Sequence, residues 1–288
     1  MKIKRIFEEK KTTLSFEVFP PSRDGNIEEL YRVIGELAEM EPDFFSVTYG
    51  AGGSTREKTV EIASKIKNGF KREALAHLTC VQATKTNILH ELGKLKKAGI
   101  ENILALRGDP PKGEESFSRT EGGFEYASEL VEFIKLNGDF STGVAGYPEV
   151  HPEAPDMEHD IINLKKKIDA GADFVITQMF FDNDDFYRFR EKAVAAKITL
   201  PIIPAIFPIF NYRQISRIAS LCGAKIPPQL HDTLRRVSDR SEEVAKYGTE
   251  YATRQSEDLL KNDVPGLHFY SMNRSRHVID ITQKLFKK

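Results

Sequence analysis

Residues 163–182 read NLKKKIDAGADFVITQMFFD: an amphipathic stretch of helical period runs into a short β-branched run that ends on a polar residue, Gln178. Outward from this segment the same pattern recurs from Thr13 almost to the C-terminus, short β-branched or aromatic runs alternating with longer amphipathic ones. Strands are expected near residues 14–19, 44–49, 74–79, 101–106, 140–146, 173–178, 201–206 and 266–270, most of them followed by a helix. Eight such units predict an α/β fold, a (β/α)8 TIM barrel occupying residues 1–288 as one domain. An open doubly wound sheet competes, but no G-x-G-x-x-G follows the first strand and no G-x-x-x-x-G-K phosphate loop exists. The stretch 207–264 breaks the rhythm: it holds one expected helix plus a charged helical segment, Ser241 to Lys261, that reads as an insertion before the last strand. Pro110-Pro111-Lys112-Gly113 punctuates a strand-helix loop, and residues 112–123 read as a mobile lid.

With 42 basic and 43 acidic residues interspersed, the formal net charge is -1, so no overall field favours nucleic acid or an anionic membrane. A small molecule is the expected partner. Cys80 and Cys222 make neither a disulfide framework nor a zinc or redox motif. The N-terminus, MKIKRIFEEKKTTLSF, lacks the apolar segment of a signal peptide, and no apolar run reaches the roughly 18 residues of a membrane span. A cytoplasmic location is expected.

In a barrel of this kind the site lies at the carboxyl ends of the strands. Glu17 ends the first, Thr48 and Tyr49 the second, His77 and Thr79 the third, Arg107 and Asp109 the fourth. Tyr147, Glu149 and His151 follow the fifth, Gln178 ends the sixth, and Tyr270, Asn273 and Arg274 the last. Each alone has a bland explanation as a solvated or structurally paired residue. Their coincidence on one face points to an enzyme. Glu17, between Phe16 and Phe19 and just before Pro20-Pro21, is placed for partial desolvation and hence for acid catalysis; the alternative is a hydrogen-bonded carboxylate. Gly108 lets the Arg107-Gly108-Asp109 backbone turn sharply or approach a ligand, although an internal Arg107/Asp109 pair would account for both charges. Asp160 and Lys167 share one face of a helix, where ordinary surface charge is the plain interpretation. His151, Glu153, His159 and Asp160 lack metal-ligand spacing, so no metal is expected. No expected strand carries an interior lysine for Schiff-base chemistry.

Seven segments carry a resemblance: FEVFPP at 16–21, SVTYGAGGS at 46–54, HLTC at 77–80, ALRGDPP at 105–111, YPEVHPEA at 147–154, NLKKKIDAGADFVITQMFFD at 163–182 and HFYSMNR at 268–274. In this order, over nearly the full chain, they resemble the methylenetetrahydrofolate reductase family in its bacterial, catalytic-domain form. The resemblance implies a single catalytic barrel with non-covalent FAD, rather than FMN, across the strand ends. NADH or NADPH would reduce it and 5,10-methylenetetrahydrofolate would reoxidise it, giving 5-methyltetrahydrofolate, both substrates using one flavin face in turn. It implies Glu17 as the general acid that opens the folate's five-membered ring, and Asp109 as a catalytic charge near flavin and pterin. Gln178, Tyr147, Arg274 and Gln214 would bind substrate, Arg274 near its acidic side. FAD contacts are implied for Thr48, Tyr49, His77, Arg107, Gly108, Asp109, Tyr126, Ala127, Tyr147, His151, Asp160, Asn163 and Lys167. In that setting Asp160 would accept from ribose hydroxyls and Lys167 would offset pyrophosphate charge.

The chain departs from the family where an aromatic is expected to stack on nicotinamide or pterin: Ile218 stands there, with Tyr212 earlier on the same helix. It ends about where the last barrel helix should, implying that the regulatory domain that binds S-adenosylmethionine in eukaryotic relatives is absent. A homo-oligomer, dimer or tetramer, is expected, with exposed aromatics Phe186, Tyr187 and Phe189 as a candidate interface. Two alternatives stay open. One is a metal-dependent barrel hydrolase using His77, His151 and Asp109; the other is a flavin- or folate-binding subunit that takes electrons from a partner.

Overall fold

Thr13–Val18 (β1), Phe44–Val47 (β2), Glu73–Thr79 (β3), Asn102–Leu106 (β4), Ser141–Gly146 (β5), Phe174–Thr177 (β6) and Gly266–Tyr270 (β9) fall within a residue or two of the expected strands and pair in parallel. The computed structural model describes residues 1–21, 25–49, 56–110, 113–114 and 116–286. The tail of SVTYGAGGS, residues 50–54, and Pro111, Lys112 and Glu115 of the expected lid lie outside them. The seventh strand is split. Ile202–Ile203 (β7) pairs with β6 and Ala205–Ile206 (β8) with β9, so the strand order β7-β6-β5-β4-β3-β2-β1-β9-β8 closes on itself through Pro204. Proline has no N–H to give to a ladder, which accounts for the break, while its carbonyl accepts from His268 N at 3.1 Å.

Alternation along each strand sorts the side chains into two layers. Leu14, Phe16 and Val18 face the helices in the outer core with Phe45, Val47, Ile103, Ala105 and Phe269, Phe16 packing against both Phe45 (5.8 Å) and Phe269 (6.3 Å). A fully buried ring of this size contributes on the order of 2 kcal/mol or more. The other face fills the barrel with Phe44, Leu75, Leu104, Phe174, Ile176, Ile203 and Ala205. Helices Ile27–Ala38 (α2), Arg56–Ser64 (α3, continued by a π turn over 65–69), Lys85–Lys97 (α4), Ala127–Asn137 (α5), Met157–Asp169 (α6) and Asn183–Ala195 (α7) connect the strands.

Among the described residues, five further helices complete the fold. Ile3–Glu9 (α1), not foreseen by the strand-helix rhythm, plugs the amino end of the barrel with Ile3, Ile6 and Phe7. Its exposed backbone donors are taken up by Asn102 Oδ1 (from Ile3 N, 2.7 Å) and Ser141 Oγ (from Lys4 N, 3.1 Å). Tyr212–Cys222 (α8) and Ser241–Lys261 (α10) match the expected helix and insertion, but between them Pro228–Arg236 (α9) forms a further short helix, with Pro at its first turn. Gly248 lets α10 lie directly on the loop after β8: a Cβ there would sit 1.9 Å from the Ile209 carbonyl oxygen. Ser275–Phe286 (α11) closes the chain. Among the described residues no helix is long and apolar enough to cross a membrane. The suggested aromatic interface on α7 is corrected: Phe186 and Phe189 are fully buried and the Tyr187 hydroxyl donates to Asp258, because the apolar stripe of α7 faces the barrel.

Candidate active site

Register sets the floor of the carboxyl-end mouth. Glu17 lies opposite Ser46 on β2 and Tyr270 on β9, while Ser15, one pleat below, lies opposite His268. The buried Glu17 carboxylate faces two imidazoles, Oε2 being 3.5 Å from His77 Nε2 and 3.7 Å from His268 Nε2. His77 Nε2 also meets Ser46 Oγ, and burial pulls its pKa down to about 4 against the opposing pull of Glu17, so its ring is neutral at physiological pH. Glu17 therefore sits in a dry layer with the neutral ring of His77 on one side and the buried His268 ring on the other. Its backbone is fixed as well: Ser271 N and Oγ both donate to Glu17 O, and the Asn273 amide exchanges two hydrogen bonds with the Phe19 backbone (2.9 and 2.8 Å). Beside it, the buried Tyr270 hydroxyl points at Thr177 O and Gln178 Oε1, both at 3.4 Å, and Gln178 Oε1 also accepts from Met179 N (2.8 Å).

A second group comes from β4 and the loop after β5. At Gly108, with φ +90°, a Cβ would lie 2.8 Å from Val81 Cγ1, so the backbone closes against β3 as only glycine permits. Arg107 does not pair with Asp109. Its guanidinium grips Glu153 through two hydrogen bonds, one of 2.6 Å, and lies over the Phe117 ring at 4.9 Å, leaving Asp109 exposed. Tyr147 and His151 meet edge to face at 4.6 Å across a tight turn in which Val150 holds φ +75°, a strained setting for a β-branched residue. Burial first, then the Asp109 charge, raises the Tyr147 phenol above its ordinary range. Glu149 accepts from Lys225 N (2.8 Å) while its Oε1 is buried without a partner, and burial lifts its pKa to about 7.

The helix pair on α6 is more than surface charge. Asp160 is buried and accepts from His151 N at 3.0 Å, and Lys167 turns inward so that Nζ donates to Ala145 O at 2.6 Å. Burial brings the Lys167 pKa down to about 8, with Asp160 opposing, and burial raises Asp160 in turn. This is a cation held where an anion would relieve it.

Other expected residues are placed at the rim. Thr48 sits at the end of β2, its N donating to Val18 O and its O accepting from Thr59, and the Tyr49 ring packs in the outer core. Tyr126 and Ala127 begin α5, Tyr126 being exposed and within the field of Arg107. Asn163 is an exposed residue on α6 whose side chain accepts from Lys166. Gln214, exposed in the first turn of α8, is not joined to the floor by any contact among the described residues. Arg274 lies over Phe210 at 5.9 Å and lines a cavity of about 790 Å³ between α10 and α11, whose lining does not include Glu17. Tyr212 is committed to α9, its hydroxyl bonded to His231 Nε2 at 2.8 Å, and Ile218 packs in the same satellite core.

Comparison with known proteins places this geometry. A family model described as methylenetetrahydrofolate reductase matches residues 2–286. A protein of Arabidopsis thaliana named methylenetetrahydrofolate reductase (NADH) 1 is 40% identical over 99% of the chain, and the Escherichia coli K12 protein named 5,10-methylenetetrahydrofolate reductase is 38% identical over 91%. The chain belongs to the methylenetetrahydrofolate reductase family. It covers 86% of the Escherichia coli protein but about half the length of the plant and yeast relatives it matches. Among solved structures, an uncharacterized protein from Clostridium thermocellum, described as binding two copies of 5-methyl-5,6,7,8-tetrahydrofolic acid, shares the fold with a TM-score of 0.63 at 15% identity, each chain covered to 98%.

Membership of the methylenetetrahydrofolate reductase family raises the question of a flavin nucleotide at this mouth. The closed backbone at Gly108, the buried unpartnered Thr79 Oγ1 and the inward Lys167–Asp160 pair form a cradle of donors, acceptor and cation that fits one. Among the described residues no cluster could hold a metal ion. Reading strand ends alone missed Ser46, His268 and Glu153. Strict alternation back from Tyr270 would have put His268 on the inner face, whereas Glu153 reaches Arg107 from another loop and left no local signal.

Proposed function

We propose that this chain reduces 5,10-methylenetetrahydrofolate to 5-methyltetrahydrofolate with electrons from NADH or NADPH, through non-covalently bound FAD, in one barrel spanning residues 1–288. Family membership supports the reaction class. The observation that carries the reading is Glu17: a buried carboxyl on the floor of the carboxyl-end mouth, between the imidazoles of His77 and His268 and opposite Tyr270, whose hydroxyl reaches Gln178.

When bound, FAD would supply a hydride carrier that accepts from the nicotinamide and gives to the folate carbon. The chain's own residues do the rest. Gly108, Arg107, Thr48, Tyr49, His77, Tyr126 and Ala127 are the residues that would hold the flavin ring, Gly108 by leaving its backbone free of a side chain. Asp160, a buried acceptor, would take ribose hydroxyls, and Lys167, a buried cation, would offset the diphosphate charge, with His151 and Asn163 as further contacts. Glu17 delivers a proton to the folate nitrogen whose bond to the bridging carbon must break. Gln178 and Tyr147 orient the pterin, Asp109 favours its cationic character, and Arg274 with Gln214 meets the acidic end.

The test is spectral. Purified protein should carry flavin absorbance that bleaches anaerobically with NADH or NADPH and returns on adding the methylene-folate. A protein that neither holds nor can be reconstituted with FAD overturns the reading, and a flavin that bleaches only with an artificial donor assigns the chain to the partner-dependent alternative.

A further inference from the structure

His268 is fully buried, and its Nε2 has no hydrogen-bond partner although it is only 3.7 Å from Glu17 Oε2. A buried unpaired ring nitrogen is costly and calls for a reason. The other ring nitrogen, Nδ1, lies 2.8 Å from Ser15 Oγ. Ser15 has one hydroxyl proton, and its oxygen also faces the Leu267 carbonyl at 3.3 Å, a group that can only accept. With that proton given to Leu267, Ser15 Oγ accepts Nδ1–H, and Nε2 turns a lone pair toward the carboxyl. Phe44, stacked on the ring at 6.1 Å, and Tyr270, edge-on at 6.0 Å, keep the imidazole from turning away. Two acceptors facing each other in a dry layer are compatible only with a proton between them.

We infer that His268 is a positioning residue for the acid: its Nε2 accepts the proton of neutral Glu17, holding it on Oε2 until the substrate nitrogen replaces the imidazole as acceptor. The proton passes from Glu17 to the substrate and His268 stays neutral throughout. The inference rests on the assignment of Glu17 as the acid. The titratable groups around the pair are Glu17 on β1, His77 on β3 and Tyr270 on β9, with Tyr147 and Cys222 beyond the tyrosine.

Two variants separate the ring nitrogens. H268N keeps a partner for Ser15 and deletes the atom that faces Glu17, while H268Q puts an amide oxygen where Nε2 was. Stopped-flow measurement on FAD-loaded protein should find flavin reduction by the nicotinamide within about twofold of the parent in both. Flavin reoxidation by the folate should fall roughly tenfold in H268N and recover most of that loss in H268Q, one hydrogen bond being worth about that factor. The pH above which the folate step fails should move down in H268N by up to about one unit, since the neutral acid has lost its acceptor. Equal folate rates in H268N and H268Q, an unmoved or raised pH limit, or an equal loss in the nicotinamide step overturns the inference. E17Q is the control: if it leaves the folate step intact, the assignment of the acid falls and this inference with it; if it abolishes that step while H268N does not slow it, this inference falls alone.

Discussion

The two ends of the barrel interior are built from similar residue types to opposite effect. At the amino end Asn102, fully buried, accepts from Ile3 N and donates to the Met1 and Ala74 carbonyls, and the terminal ammonium sits between Glu73 and Glu101. Every polar atom named there has a partner. At the carboxyl end Thr79 Oγ1, Glu149 Oε1 and His268 Nε2 are buried without one, Lys167 is held below its ordinary pKa and Val150 is strained. One end holds the fold together, and the other keeps unsatisfied groups that a ligand would satisfy.

Substitutions can break this contrast. The largest expected effect is on chemistry: E17Q should slow folate-dependent flavin reoxidation by about 10²-fold or more, leaving nicotinamide-dependent reduction and the melting temperature nearly unchanged. Loss of both half-reactions together would remove the distinction between floor and scaffold. At the other end N102A should lower stability by about 2–4 kcal/mol in denaturant titration, with normal activity per folded molecule, since three buried hydrogen bonds are lost far from the mouth. K167M should raise the melting temperature of FAD-free protein and weaken FAD binding. The sign follows from a folded pKa of about 8 against an ordinary 10.5: the ammonium burdens the fold fully below about 8, and stability rises with pH from there toward 10.5, so the advantage of K167M is greatest at pH 7 and shrinks between about 8 and 10.5. The smallest effect belongs to Glu149, whose folded pKa near 7 lies above its ordinary 4.5. Stability present below 4.5 is lost as pH rises through 7, so E149Q should melt higher at pH 8, by about 1 kcal/mol or roughly 2–4 °C, and no higher at pH 4.5.

Much of this architecture was legible in the residues. Each strand could be found because barrel strands are short, β-branched and bounded by amphipathic helices, and the mouth could be found because its polar residues end those strands. Residues whose meaning depends on distant partners were not legible. Arg107 looked like the natural mate of Asp109 two positions on, yet its partner is Glu153, 46 residues away. Lys167 looked solvated because a helix pattern does not reveal that its stem reaches inward to β5. His268, within a strand of apolar neighbours and short of its end, carried no sign of its own that it faces the site. Helices α1 and α9, of seven and nine residues, are too short for periodicity to register, and only the Pro227-Pro228 step marked the second.

The break at Pro204 has a consequence for motion. A ring of staves is as tight as its loosest joint, and here two two-residue strands carry the joint between β6 and β9. Amides of residues 202–206 should exchange with solvent before those of β1 to β5, and the joint lies directly beneath Phe207, Tyr270 and Gln178. Breathing of this barrel would thus be concentrated at the joint between β6 and β9, while the Glu17 and Phe19 backbone, stitched by Ser271 and Asn273, stays shut.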